Sequence, residues 1–310
     1  MTNCKEFYFP SSDGSSRIHA AEWTPGELAP VGVLQIAHGI AEYGMRYAPF
    51  AEFMTAHGFV VVANDHLGHG LSAEKGAETI FFGERDGWQH AVDDMYALRC
   101  LMNEKYPDLP YFLMGHSMGS FLTRTYLIRY PGTVDAAIIV GTGQQSPLLL
   151  AGGTAVAEAA GRLHGFRSYS PRVEALAFGA YNRAFSPNRT NCDWLSVSDN
   201  NVDSYLADPL CGGKVSIGLF RDMLGGLRFI GTQKNVNAMD TATPILFLSG
   251  EKDPVGDMGK GVRKAFESFR RAGVRDTELR LYKGLRHEIL NEDCRAVVYN
   301  DVWDWIERHL

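Results

Sequence analysis

The 310-residue chain reads as an α/β protein: a mostly parallel central sheet with helices on both faces, interrupted by an inserted helical cap. Three observations predict this. Short unbroken apolar runs alternate with amphipathic segments, the pattern of strands buried on both faces and joined by helices. The alternation stops after Gly141-Thr142-Gly143 and resumes at Pro244, leaving roughly ninety residues with no strand pattern. Between a predicted strand and a predicted helix stands the turn Gly115-His116-Ser117-Met118-Gly119.

Taken in order, the first thirty residues form two β segments around a turn at Ser11-Ser12-Asp13-Gly14. Residues 31–37 are a continuous apolar strand. Residues 46–57 carry Tyr47, Phe50, Ala51, Phe53 and Met54 at helical spacing, and stop at Gly58. A second apolar strand covers 59–63. A long helix is predicted over 88–105, ending before Pro107. A strand beginning at Tyr111, a helix over 121–129 and a strand over 136–140 complete the first half. Residues 146–233 read as short helical pieces broken by Gly152-Gly153, Pro171, Pro187, Pro209, Gly212-Gly213 and Gly225-Gly226. The strand–helix pattern then returns as a strand over 244–249, a helix near 261–272, a strand over 277–282 and a closing helix over 295–309. The expected division is a core of residues 1–143 and 240–310, with a cap of residues 144–239.

The turn around Ser117 has the context of a nucleophile elbow. A strand that turns at once into a helix brings backbone segments together, and Gly115 and Gly119 leave room for that. The turn exposes the Ser117 hydroxyl above the sheet edge. The Met118 amide lies near a helix N-terminus, where free N–H groups can face a developing oxyanion.

A serine nucleophile needs a base, and the base needs an orienting acid. The chain has ten histidines, so position decides. His287 follows the 277–282 strand and precedes the last helix. Asp253 follows the 244–249 strand in Gly250-Glu251-Lys252-Asp253-Pro254, at the carboxyl edge of the sheet where sites form. Glu251 and Asp257 compete with it; Glu251 lies early in the turn and Asp257 at the expected start of the next helix. The second oxyanion donor is expected in the loop after the first parallel strand, Ala37-His38-Gly39-Ile40, where the Ile40 amide would pair with that of Met118. His38 there is expected to hydrogen-bond structurally. Asp65, His66 and His69 are spaced for a metal, but their glycine-rich setting favours a structural loop.

Composition narrows the function classes. Net charge is −6 with no long basic run, which argues against nucleic acid as a partner. No apolar run approaches the roughly 20 residues of a membrane span. The start of the chain shows no signal-peptide pattern. Five cysteines with no Cys-x-x-Cys pair read as free thiols in a reducing cytoplasm. No cofactor or metal is expected.

These motifs resemble those of the serine α/β-hydrolases of the monoacylglycerol lipase and lysophospholipase group, whose bacterial members are often classed with the serine aminopeptidases. The resemblance rests on His38-Gly39 with Glu42, Arg46 and Tyr47, and on Asp65-His66-Leu67-Gly68-His69-Gly70-Leu71-Ser72. It continues in Gly115-His116-Ser117-Met118-Gly119-Ser120, Gly250-Glu251-Lys252-Asp253-Pro254-Val255-Gly256 and His287-Glu288-Ile289-Leu290-Asn291-Glu292. It implies an α/β-hydrolase fold, a triad of Ser117, Asp253 and His287, and an oxyanion pair at Ile40 and Met118. Taken with the composition, the overall reading is a cytoplasmic serine hydrolase of carboxylic esters, with a small, lipid-like monoacyl substrate expected. An aminopeptidase or amidase on the same triad is the alternative, favoured if a cap carboxylate such as Glu158 or Glu174 receives a substrate amine; a non-catalytic binding protein is a further one. The apolar stretch 147–163 is expected to be packed cap core, with an acyl-pocket wall or a transient membrane contact as alternatives.

Overall fold

The computed structural model describes residues 3–310. Its strands are β1 (Asn3–Pro10), β2 (Arg17–Thr24), β3 (Gly32–Ala37), β4 (Phe59–Asn64), β5 (Tyr111–His116), β6 (Ala136–Val140), β7 (Ile245–Gly250) and β8 (Thr277–Tyr282). They form one eight-stranded sheet in the order β1-β2-β4-β3-β5-β6-β7-β8. β1 and β2 are antiparallel to their neighbours, and every pairing from β4 through β8 is parallel.

The helices are α1 (Ala48–Ala56), α2 (Gly87–Lys105), α3 (Met118–Arg129), α4 (Pro147–His164), α5 (Pro171–Phe178), α6 (Asp199–Ala207), α7 (Ile217–Gly231), α8 (Gln233–Val236), α9 (Lys260–Ala272) and α10 (Arg295–Glu307). Alternation along the strands explains the layering. In β3, Leu34 and Ile36 pack with residues of α1 and α10 on one face, while Val33 and Ala37 pack with α2, α3 and α9 on the other. The central strands are buried on both faces, so they lack polar residues at alternate positions.

Several boundaries differ from the sequence reading. Helix α3 starts at Met118, directly after the turn, rather than at Phe121. The chain over residues 44–47 is a 3₁₀ turn that precedes α1. Asp257 lies in a left-handed turn (φ 50°) before α9, not in the helix. The largest difference is in the insertion between β6 and β7. Gly152-Gly153 and Gly225-Gly226 do not break it: they lie inside the continuous helices α4 and α7. A methyl group on Gly226 would collide with the Trp88 indole, and one on Gly153 would sit 3.3 Å from Leu224. Gly153 and Gly226 give close helix packing, a tertiary role that overrides their low helix propensity. β6 and β7 pair directly and in parallel, so the insertion leaves the sheet at its carboxyl edge, where the Ser117 amide donates to the Val140 carbonyl at 3.0 Å, and the chain re-enters at the opposite edge, where Ile245 pairs with Ala137.

Candidate active site

Ser117 sits between β5 and α3 with φ 54° and ψ −121°, a conformation that L-residues adopt only under constraint. The two flanking glycines supply the constraint. A Cβ on Gly115 would collide with the Gly119 carbonyl and Thr123 Oγ1, and one on Gly119 would collide with the carbonyls of Ala37 and His38. The turn is thus wedged against the end of β3, beside the loop that carries Ile40.

Asp253 and His287 meet across the ends of β7 and β8. His287 Nδ1 lies 3.0 Å from Asp253 Oδ2. Asp253 is fully buried, and its carboxylate also accepts from Ser249 Oγ at 3.2 Å and from the Val255 amide at 2.9 Å. The carboxylate fixes Nδ1 as the donor, which leaves Nε2 as the basic nitrogen. His287 Nε2 is buried and has no hydrogen-bond partner among the described residues. Ser117, Ile40 and His287 line one cavity of about 330 Å³. Glu251 and Asp257 are both solvent-exposed, and neither lines it. The amides of Ile40 and Met118 make no turn, loop or side-chain hydrogen bond among the described residues.

His38 is buried beside this site. Its Nδ1 meets the Gly39 carbonyl at 2.7 Å, and its Nε2 accepts the His66 amide at 2.9 Å. Both nitrogens are therefore engaged in holding loops. Burial pushes the His38, His66 and His69 imidazoles below their ordinary value, so they stay neutral. Asp65 accepts from His19 Nδ1 and from the amides of Gly44 and Leu71. No cluster of three or more His, Cys, Asp or Glu side chains among the described residues is placed to hold a metal ion.

A buried ionic network that the sequence reading gave no role lies between the Ile40 loop and His287. Arg46 Nη1 donates to Glu42 at 2.6 Å, and Arg46 forms a two-pronged pair with Glu288 at 2.9 and 3.0 Å. Glu42 also accepts the Gly39 amide at 2.6 Å and the Tyr47 hydroxyl at 2.8 Å. Burial alone would push both carboxyls up. The Arg46 guanidinium outweighs it and holds Glu42 and Glu288 below the usual range. His116 completes the network. Because the Tyr47 hydroxyl donates to Glu42, it accepts from His116 Nδ1 at 2.8 Å, while His116 Nε2 faces the His287 carbonyl at 3.3 Å. Both ring nitrogens thus face acceptors. Burial lowers the His116 pKa, but the Glu42 hydrogen bond and charge outweigh it, and the net shift is upward.

The stretch 147–163, for which an acyl-pocket wall is an alternative reading, does not form the cavity wall. That wall is built from α5 (Pro171, Glu174, Ala175, Phe178) and from Trp194, Leu195 and Tyr205, and no residue of α4 lines it. On α4, Leu150 is packed at 3% exposure, while Leu148, Leu149 and Leu163 stand 85%, 61% and 76% exposed. Glu174 reaches the cavity, bonded to the Tyr169 hydroxyl; Glu158 lies elsewhere, along a second cleft between α4 and α7. The five cysteines are free. Among the described residues no helix is long and apolar enough to cross a membrane.

Comparison with known proteins places this geometry in context. The family model described as serine aminopeptidase, S33, matches residues 29–294. The chain is 31% identical over 303 residues to a monoacylglycerol lipase of Mycolicibacterium smegmatis, with 96% of this chain and 95% of that protein covered. It is 28% identical over 297 residues to a monoglyceride lipase of Mus musculus, covering 93% and 86% of the two chains. Its fold matches that of a thermostable carboxyl esterase from Bacillus coagulans with a TM-score of 0.91, at 27% identity over 98% of each chain.

Proposed function

Because the chain belongs to the serine aminopeptidase S33 family of α/β-hydrolases, we propose that it is a carboxylic ester hydrolase acting on small lipid-like monoacyl substrates, monoacylglycerols or lysophospholipids. Ser117 is the nucleophile in this reading. His287 Nε2 takes the hydroxyl proton as Oγ attacks the ester carbonyl, and the amides of Ile40 and Met118 receive the oxyanion. His287 then protonates the departing alcohol. Water, deprotonated by the same nitrogen, clears the acyl-enzyme. Asp253 keeps Nδ1 protonated and stabilises the imidazolium. The observation that carries the reading is the 3.0 Å Asp253–His287 bond, with an unpartnered Nε2 on a ring that lines the same cavity as Ser117. The names of the relatives support the substrate class.

Residues 144–239 act as the cap in this account, over a core of 1–143 and 240–310. The exposed leucines of α4 suit transient contact with a lipid surface, which would deliver an insoluble ester to the cavity. One observation favours an aminopeptidase as the second reading: Glu174 places a carboxylate in the cavity, where it would pair with a substrate amine. Kinetics on p-nitrophenyl esters of increasing chain length, run beside aminoacyl p-nitroanilides, decide between them. Ester turnover without anilide turnover is expected; anilide turnover that is lost in Glu174→Gln supports the peptidase instead.

A further inference from the structure

The 3₁₀ turn Asp193–Leu195 carries Trp194 against the His287 ring, with centroids 5.2 Å apart and planes tilted by 38°. Trp194 also lines the cavity, and Tyr181 backs its indole at 5.0 Å. Although this turn lies within the insertion, it is fastened to the His287 loop on both sides of the histidine. Before it, Arg286 Nη1 donates to the carbonyls of Asp193 and Ser196. After it, the Glu288 amide donates to the Leu195 carbonyl at 2.7 Å. Further on, buried Glu292 accepts the Ser196 hydroxyl at 2.7 Å and the Val197 amide at 3.0 Å, and Ser198 Oγ donates to Asp293 at 2.9 Å. Two chain segments about ninety residues apart are laced into one unit, and the indole is fixed relative to the imidazole.

We propose that Trp194 is a positioning residue that acts through His287: its indole backs the imidazole and stabilises the imidazolium formed when Ser117 gives up its proton. The inference rests on the reading of Ser117, His287 and Asp253 as the reacting set. An indole within about 6 Å of a cation attracts it through the ring quadrupole. The attraction is needed here because His116, with acceptors at both ring nitrogens, lies with its centroid 4.7 Å from that of His287. A positive charge on His287 therefore forms beside a ring that the Glu42 carboxylate biases towards its own charged form. Asp253 offsets this at Nδ1, and Trp194 offsets it at the ring. The proton that moves from Ser117 to Nε2 returns to the leaving alcohol, so the contact favours the charged intermediate and leaves the net reaction unchanged.

The experiment compares Trp194→Phe with Trp194→Leu on p-nitrophenyl acetate and butyrate, esters small enough not to depend on the outer wall. The leucine variant should lose about three- to thirty-fold in kcat with KM nearly unchanged, the range such cation–π contacts carry. Phenylalanine should restore kcat to within about threefold. If the leucine variant fails to fold, Trp194→Met is read in its place. Equal losses in the phenylalanine and leucine variants, or a loss in KM alone, overturn the proposal and leave Trp194 as packing. His287→Ala is run alongside: if it keeps turnover, the reading of the reacting set fails. If it loses turnover while Trp194→Leu keeps it, only the role of Trp194 fails.

Discussion

Replacing Arg46 with methionine tests how the Ile40 loop and the His287 loop are held together. Arg46 is the cation shared by two buried carboxylates, Glu42 and Glu288, which come from opposite ends of the chain. Methionine keeps the unbranched apolar stem and removes the charge. Glu42 keeps the Gly39 amide and the Tyr47 hydroxyl as donors, and Glu288 keeps Asn201 and Asn291. The loss is therefore that of the cation beside buried carboxylates, typically about 3–5 kcal/mol. With an unfolding entropy of about 2 cal/mol/K per residue over the whole chain, Tm should fall by roughly 5–8 °C near neutral pH. The pH dependence fixes the sign. In the parent both carboxyls are held below their ordinary values, so their stabilisation is full above the unfolded pKa and is lost as pH falls through the depressed folded values. Without Arg46, burial raises them, and the variant's penalty is relieved as acid protonates them. Melting curves of both proteins from pH 7.5 to pH 5 should show the Tm gap narrowing. A gap under about 2 °C at pH 7.5, or one that widens on acidification, refutes the argument.

Three further outcomes follow from the geometry. Gly141 has φ 60°, and a methyl there would lie 3.0 Å from His287 Cε1; Gly141→Ala should displace the imidazole and lower kcat by about a hundredfold with the fold retained, as kinetics and circular dichroism will show. Ala175→Phe on α5 should fill the cavity and shift the best p-nitrophenyl ester to a shorter chain, whereas Leu149→Asp on α4 should leave that preference alone and weaken binding to lipid vesicles. Burial pushes the His19 pKa down, but Asp65, then Glu6, outweigh it and raise it, so its contribution to stability is present below the unfolded pKa and is lost as pH rises through the folded value; the Tm advantage of the parent over His19→Gln should shrink between pH 6 and pH 9, and a constant advantage counts against the ion pair.

Much of the sheet was legible because its strands are buried on both faces and so appear as unbroken apolar runs. Residues 136–140 show it, found at their expected limits. The positions of Ser117, Asp253 and His287 were legible for a different reason: each stands in a turn at the end of a strand, and turn chemistry is local. What escaped the sequence reading is tertiary. Arg46 and Glu288 are 242 residues apart, and nothing near either one announces the other. Gly152-Gly153 and Gly225-Gly226 look like breakers until Leu224 is seen against Gly153 and Trp88 against Gly226. The apolar run of α4 is legible as apolar, but which of its residues face inward depends on α5 and α7: Leu150 and Ala157 pack in the core, Leu148, Leu149 and Leu163 are exposed, and none lines the cavity.

The central claim is that Ser117 forms the acyl-enzyme with Asp253 and His287 behind it. The most direct measurement is stoichiometric labelling with a fluorophosphonate, followed by peptide mapping, in the parent, Ser117→Ala and Asp253→Asn. The account predicts one label per chain, on Ser117. It predicts no label and no ester turnover in Ser117→Ala, and labelling slowed along with a kcat loss of about 10⁴ in Asp253→Asn. A label on any other residue, or turnover that survives in Ser117→Ala, would contradict it.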